Sequence, residues 1–229
     1  MVEPASFEPD LLRFFGELKT HNNKAWFERN RARYERVYRD AFQRFIEEFA
    51  PRLKAISPYL IADSRPTGGS VMRIYRDIRF SKDKSPYRSY TVVHFRHKDA
   101  REGAGPGLFL YVAPDEISAG GGLWHPEPRV AYKVRSAIAQ QPRKWLAATT
   151  SPSFRRRFEM TGETLRRPPP GFPKDHPQAA ELMRKDFVAS ADIPRAEFTA
   201  PGFLDYYDEI GRQVSPLLQF LCGAVGLEF

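Results

Sequence analysis

Residues 71–90, with the sequence VMRIYRDIRFSKDKSPYRSY, decide how the chain around them is expected to fold. The first side chains alternate, with Val71 and Tyr75 on one face, as the two-residue period of a β-strand requires. The alternation then fails, and the run SKDKSP at 81–86 is polar and typical of turns. The alternation returns in the apolar positions of 91–97. The stretch therefore predicts two strands joined by a long loop.

The predicted loop is strongly basic, since six cations stand against only two acids, Asp77 and Asp83. The cations are Arg73, Arg76, Arg79, Lys82, Lys84 and Arg88. Residues 61–101 hold ten basic and four acidic side chains, and so carry six of the chain's net +8 charges. A focal excess favours one anionic ligand, whereas a uniformly basic chain would favour a general nucleic-acid coat. An ordinary solvated loop is the alternative interpretation.

Four predicted strands follow one another closely along the chain. They lie at 70–76, 91–97, 108–113 and 117–123. No connection between them is long enough for a crossover helix, so they predict an antiparallel meander. Apolar stripes at helical spacing in 9–56 and 201–221 predict helices that cover this sheet. The predicted fold class is therefore α+β, with residues 1–229 as a single domain.

The remaining segments predict shorter elements. Helices are expected at 126–138, 142–148, 153–160 and 177–184, and a further strand at 186–191. Asn23 is expected to cap a helix that begins at the next residue. Pro51 should kink or break the second predicted helix and Pro216 should bend the last one, because proline removes a helix hydrogen bond and clashes with the preceding turn.

The composition excludes several classes of protein. No apolar run approaches the roughly 18 residues that a membrane span needs, so no membrane partner is expected. The first ten residues, MVEPASFEPD, are acidic and contain proline, unlike a signal or transit peptide. Cys222 is the only cysteine, which excludes an internal disulfide and a cysteine-based zinc site. A cytoplasmic location is the resulting expectation.

Four segments together resemble a widespread family of bacterial and fungal proteins catalogued as a domain of unknown function. They are HNNKAWFERNRARYE (21–35), RIYRDIRFSKDKSPYRSY (73–90), GGGLWHPEP (120–128) and LRRPPPGFPKDHP (165–177), with Leu182 and Lys185 following. The resemblance covers nearly the whole chain, and Arg88 stands where lysine is usual in the family. It implies a single-domain cytoplasmic protein, and it implies no activity.

The basic loop supplies the candidate binding residues for a small phosphorylated or carboxylated ligand. They are Arg76, Arg79, Ser81, Lys82 and Lys84. Arginine offers a planar fork that matches phosphate or carboxylate, and lysine offers a mobile point charge. The competing hypothesis is that the arginines pair with Asp77, Asp83 or the acids of the nearby helix. One of those two acids acting as a general base is a weaker possibility than structural pairing.

Several aromatic side chains lie close to these cations in the sequence. They are Trp26, Phe27, Tyr75, Phe80, Tyr87, Tyr90 and Trp124. Most of these rings are expected in the core, and Tyr87, Trp124 and Trp26 are the candidates for the walls of a ligand site. Asn23 is a helix cap first and a hydrogen-bond donor to a ligand second.

Neither a metal nor a cofactor is expected. The glycines of 120–122 match no phosphate-binding motif, and close backbone packing is their favoured explanation. His94 and His97 differ by an odd number of positions along a predicted strand and so should point to opposite faces. His125 stands alone among turn residues, and the chain contains no G-x-S-x-G elbow for a nucleophile.

Two specific functions fit these observations, and a third interpretation is less specific. The first is a pocket, in a binding protein or an enzyme, for a small anionic metabolite. The second is a non-specific nucleic-acid-binding module, supported by a pI near 9.6 and by further basic patches at 155–157 and 166–167. The third is an interaction protein whose motifs only stabilise the fold. A concave cluster of charge favours the first, and a convex stripe favours the second. The sequence leaves the reaction, if any, and the oligomeric state open.

Overall fold

A five-stranded antiparallel sheet lies at the centre of the computed structural model, which describes residues 6–100 and 105–229. Its strands are β1 (Thr91–Arg96), β2 (Gly107–Val112), β3 (Ile117–Leu123), β4 (Glu159–Thr161) and β5 (Phe187–Asp192). The strand order is β1-β2-β3-β5-β4, so β1, β2 and β3 form a meander that matches three of the four predicted strands. The predicted α+β class is confirmed.

Along the chain, helices precede the first strand, separate the later strands and follow the last one. The first group is α1 (Pro9–Thr20), α2 (Lys24–Arg29), α3 (Arg31–Tyr34), a π-helical segment (Glu35–Asp40) and α4 (Ala41–Ile56). The second group is α5 (Pro128–Gln140), α6 (Pro142–Thr149), α7 (Pro152–Arg157), α8 (Ala179–Leu182), α9 (Arg195–Phe198) and α10 (Phe203–Val225). The helix α10 packs on β3 and contacts α4, α5 and α6.

The core is continuous from the first helices through the sheet to the last helix. Phe45 and Phe49 of α4 meet Phe95 of β1 and Tyr207 of α10, with ring centroids 4.9–6.5 Å apart. All four side chains are buried. Aromatic pairs at such distances add to the free energy of burial, so this cluster ties the helices to the sheet.

The three glycines of β3 allow close packing on both faces of the strand. A Cβ atom on Gly120 would lie 1.9 Å from the carbonyl oxygen of Ala189 in β5. A Cβ atom on Gly121 would lie 3.1–3.2 Å from side chains of α10. Close backbone packing therefore explains the triplet, as the sequence predicted.

The predicted first strand at 70–76 is wrong as a strand of the sheet. Val71 makes a single bridge to Val93 of β1, and Tyr75 makes a single bridge to Tyr87. The chain changes partner between these two bridges, so no continuous ladder forms. A sequence pattern shows alternation but cannot show a change of partner.

One helix boundary needs correction, and two prolines lie within helices. Pro51 does not break its helix, since α4 continues to Ile56, and Pro216 likewise lies inside α10; the expected kink and bend stay predictions. Both prolines are on the exposed face, and the Arg212 carbonyl, four residues before Pro216, accepts the Ser215 hydroxyl at 2.7 Å. The helix expected at 153–160 ends at Arg157, and the chain continues as the edge strand β4. The strand expected at 186–191 is confirmed as β5.

Candidate functional site

Residues 73–88 form a projecting turn that we call the basic hairpin. The Tyr75–Tyr87 bridge lies at its base, where the backbone N–H of Arg76 donates to Pro86 at 2.9 Å and that of Arg88 donates to Ile74 at 2.8 Å. Asn22, which lies outside the hairpin, also stabilises its base. Its side chain donates to the Tyr87 carbonyl at 2.9 Å and accepts from the Tyr87 N–H at 3.0 Å.

Two of the predicted binding arginines pair with acids of the hairpin itself. The Arg79 guanidinium makes a two-pronged contact with Asp77, at 2.7 Å and 2.9 Å. Arg76 pairs with Asp83, which also accepts hydrogen bonds from the N–H and hydroxyl of Ser85. The hydrogen bond from Arg79 lowers the pKa of Asp77, and that from Arg76 lowers the pKa of Asp83. Both acids are therefore engaged as carboxylates.

The other hairpin cations meet no carboxylate within the part of the chain that the structure describes. Lys84 donates to the Ile78 carbonyl at 3.0 Å, and Arg88 donates to the Tyr75 carbonyl at 2.6 Å. Lys82 and Arg73 are exposed, and Ser81 is partly buried. Six cations and two acids thus leave the hairpin with a surplus of four positive charges.

Three further candidates from the sequence have structural roles. Tyr87 is buried and stacks on Phe27 with ring centroids 4.0 Å apart. Asn23 caps α2 by accepting the Trp26 N–H at 2.9 Å, and the Trp26 side chain is buried. Of these side chains, Tyr87 holds the base of the hairpin, and the other two belong to α2 and its cap. The aromatic ring that reaches solvent at the tip is Phe80, which is 95% exposed.

A separate cavity of about 500 Å³ lies between the loop 61–70, the end of β1 and Trp124. Its lining consists of Ile61, Asp63, Arg65, Gly68, Gly69, Ser70, His94, Arg96, His97, Lys98, Ala100, Gly105 and Trp124. Trp124 is the one sequence-predicted ligand residue in this wall. The cations of the hairpin are not part of the lining.

The cavity carries a positive charge that its one acid does not offset. Asp63 accepts hydrogen bonds from Arg65, chiefly from the guanidinium, which lowers the pKa of the carboxyl group. Arg96 has no ion-pair partner among the described residues, and the Lys98 ammonium lies 4.6 Å from the centre of the Tyr59 ring. An anion entering the cavity would therefore meet Lys98 and Arg96, neither of which forms an ion pair among the described residues, although the charge of Arg96 also acts on Asp63.

His94 and His97 both line the cavity, although strand alternation predicted opposite faces. The alternation itself continues to His97, which bridges Leu60 and is buried like Val93 and Phe95, so a shared cavity does not place the two rings on one face of the strand. Burial, with a smaller effect from Arg96, lowers the pKa of His94 to about 4, so the ring is neutral at pH 7. His97 is held between the Glu228 carbonyl, 2.8 Å from Nε2, and the Asp99 N–H, 3.2 Å from Nδ1. The second contact makes Nδ1 the acceptor, so Nε2 carries the proton.

A buried carboxylate fixes the chain beside Trp124, and the sequence prediction missed this contact. The fully buried Asp186 side chain accepts the N–H groups of His125 at 2.8 Å and Glu163 at 3.0 Å. Its Oδ1 also lies 3.2 Å from Nδ1 of the His125 ring. His125 has φ 44°, a left-handed conformation that few non-glycine residues adopt. The contact therefore holds a strained turn and orients the histidine ring.

The described residues contain neither a cluster of metal ligands nor a helix that could span a membrane. Groups of three or more histidine, cysteine, aspartate or glutamate side chains placed to hold a metal ion are absent from 6–100 and 105–229. Over the same residues, no helix combines the length and the apolar character that crossing a membrane requires.

Comparison with known proteins gave one match. The model of a family described as "Conserved hypothetical protein (DUF2461)" matches residues 10–220 of the chain. No curated protein and no solved structure matches. The match covers both the basic hairpin and the cavity.

Proposed function

The chain belongs to the DUF2461 family of conserved hypothetical proteins, and because this membership assigns no activity, we propose from the geometry that it binds a small anionic ligand in the cavity beside Trp124. The ligand class is a phosphorylated or carboxylated metabolite. A volume of about 500 Å³ is within the range of small-molecule sites.

One observation carries the proposal: Arg96 and Lys98 line a concave surface without carboxylate partners among the described residues. Asp63, the acid in the lining, is already hydrogen-bonded to Arg65. A cation in a partly enclosed site attracts an anion more strongly than one on an open surface, because the low-dielectric walls reduce screening. The exposed face of Trp124 adds an apolar wall for the rest of the ligand.

We propose binding alone, because a reaction would need a catalytic group placed against a substrate. His94 is neutral at pH 7 and His97 is engaged through both ring nitrogens. Arg96 and Lys98 are therefore the groups that recognise charge at neutral pH, and the histidines shape the wall.

The test is ligand-induced thermal stabilisation, with inorganic phosphate, a nucleoside monophosphate and a tricarboxylate as probes. A ligand at a hundred times its Kd stabilises the folded protein by about 2.7 kcal/mol, which a melting curve resolves. Arg96→Met is expected to weaken binding by about 10- to 150-fold, since a charged hydrogen bond contributes about 1.5–3 kcal/mol. The stabilisation at a fixed probe concentration should then fall.

Arg76→Met is the matched control, because Arg76 lies in the basic hairpin and outside the cavity. It should leave the anion-induced shift of Tm unchanged. Equal stabilisation of the parent and Arg96→Met by every probe, or no stabilisation of the parent by any of them, would refute the cavity as an anion site.

A further inference from the structure

Phe80 is an unusual surface residue. Its side chain is 95% exposed, while the other large apolar or aromatic side chains on the described surface are at most 58% exposed. A phenylalanine ring has no polar atom that gains from contact with water, and burying it against a partner is favourable. Full exposure at the tip of a hairpin therefore indicates a contact surface.

Positive charge surrounds this ring. The Arg79 guanidinium lies over it, 5.9 Å from the ring centre, and the exposed Lys82 follows two positions later. The hairpin as a whole has the surplus of four positive charges described above. A partner of this surface must therefore combine a planar or apolar group with negative charge.

The Arg79–Asp77 pair does not prevent Arg79 from binding an anion. Both side chains are exposed, with 76% and 44% of their surfaces accessible. Exposed ion pairs contribute little to stability because water and salt screen them. A phosphate can therefore replace Asp77 as the partner of Arg79 while the hairpin stays folded.

The base of the hairpin is rigid, which reduces the entropy lost on binding. Asn22 bonds to both backbone groups of Tyr87, and the Tyr87 ring stacks on Phe27. The tip is thus presented by a fixed support, and less ordering is needed when a partner arrives.

We propose that the tip of the basic hairpin binds single-stranded nucleic acid without sequence preference. An unpaired base stacks on the Phe80 ring, and the adjoining phosphates contact Arg79 and Lys82. Aromatic rings beside cations are the usual elements of such surfaces, because every base has a face and every nucleotide has a phosphate. The site is distinct from the cavity, whose lining contains none of these three residues.

Three other partners fit less well. Duplex DNA stacks its own bases and so offers no free face to Phe80. A single nucleotide gains little from a convex tip that encloses nothing, whereas a strand adds further phosphate contacts along the surplus charge. An anionic membrane would meet a single exposed apolar ring, which buries little of the apolar area that membrane binding depends on.

The experiment measures the anisotropy of a fluorescein-labelled 20-nucleotide oligothymidine at 50 and 200 mM salt. Phe80→Ala is expected to weaken binding by about 5- to 150-fold, the loss of one stacked base. Phe80→Trp should preserve the affinity and Phe80→Leu should not, because leucine is apolar but cannot stack. Lys82→Ala should weaken binding to all sequences alike and reduce the salt slope by about one.

Tyr132→Ala is the matched control, since Tyr132 is a 53% exposed aromatic residue on α5, away from the hairpin in the sequence. It should bind like the parent protein. The proposal is overturned if the parent fails to bind the oligonucleotide at 50 mM salt, or binds the duplex form more tightly. It is also overturned if Phe80→Ala and Phe80→Leu retain full affinity, or if Phe80 is needed only for vesicles containing phosphatidylserine.

Discussion

His94 shows how one position can belong to a cationic cavity without adding charge to it. The ring lies on the side of β1 opposite to the buried Val93 and Phe95, next to Gly107 of β2. A Cβ atom on Gly107 would come within 2.8 Å of the His94 Nε2 atom, so the absence of a side chain there makes room for the ring. Burial then disfavours the protonated form.

The first prediction is a pH dependence that His94→Gln reduces. The pKa of His94 is about 4 in the folded protein and 6.5 in the reference state, so below pH 6.5 the unfolded chain takes up a proton that the folded protein does not. The stability of the parent should therefore fall as the pH decreases from about 6.5 to about 4, by at most roughly 3 kcal/mol from this residue. Urea unfolding at pH 7.5 and 4.5 measures the difference.

In His94→Gln the loss of stability between these two pH values should be smaller, because glutamine does not titrate. Other groups contribute equally to both proteins and cancel in the comparison. The same loss in both proteins would show that His94 titrates normally in the folded state.

At the scale of elements, a network of charges joins α1 to the helices that follow it. Arg33 of α3 donates to Asp10 at 2.7 and 3.0 Å and to Glu17 at 2.7 Å. Arg36 of the π-helical segment pairs with the same Asp10 and with Glu8. Asp10 is only 16% exposed, and the hydrogen bond from Arg33 is the main cause of its lowered pKa. The network therefore fixes the angle at which α1 lies on the helical layer.

The second prediction is that Arg33→Met destabilises the protein by about 1–2 kcal/mol, because the largely buried Asp10 loses its main hydrogen-bond donor and the exposed Glu17 loses the same partner. Methionine keeps an apolar contact with Phe14, over which the guanidinium lies. The depressed pKa of Asp10 stabilises the fold above the unfolded value near 4, so the difference should persist at pH 7 and shrink below pH 4. Urea denaturation at these pH values tests both statements.

Arg31→Met is the comparison variant, since Arg31 forms exposed pairs with Glu28 and Glu35 one turn away. Exposed helix pairs contribute only about 0.3–0.5 kcal/mol, so this change should be nearly neutral. Equal effects of the two substitutions would mean that the α1 network contributes no more than a surface pair.

At the scale of the whole molecule, the buried residues form one cluster that includes side chains of α1, α4, the sheet and α10. Cys222 of α10 is fully buried, and burial raises the pKa of its thiol to about 12. The thiolate is the reactive form, so the folded protein should protect this single cysteine.

The third prediction follows from that burial: Ellman's reagent at pH 8 should modify Cys222 only when the molecule unfolds. The rate in native buffer should then increase with the unfolded fraction, about tenfold for each 1.4 kcal/mol of destabilisation by Arg33→Met. Phe80→Ala, which changes only the exposed tip, should leave the rate unaltered. Rapid labelling that is insensitive to Arg33→Met would show local opening of α10.

Much of the fold was determined by the sequence alone, because its signals are local. The apolar stripes of α4 and α10, the Asn23 cap and the alternation in β1 each depend on residues within a few positions of one another. The surplus of charge in the hairpin is likewise a property of composition. Neighbouring residues constrain the backbone through sterics and short-range hydrogen bonds, so such patterns can be read without a structure.

Only the tertiary structure decided which groups meet. Asp186 reaches His125 across 61 residues of sequence, and nothing near either residue identifies the other. Arg76 pairs with Asp83, although the sequence was equally compatible with a ligand there. Phe80 remains exposed, although most of the aromatic rings near it in the sequence were expected in the core. Residues 71–75 bridge first to β1 and then to Tyr87 within the hairpin. Both neighbouring segments are extended and have similar sequence patterns, so the sequence does not show which of them is the partner. Such choices depend on packing and desolvation summed over the whole molecule, which no local pattern encodes.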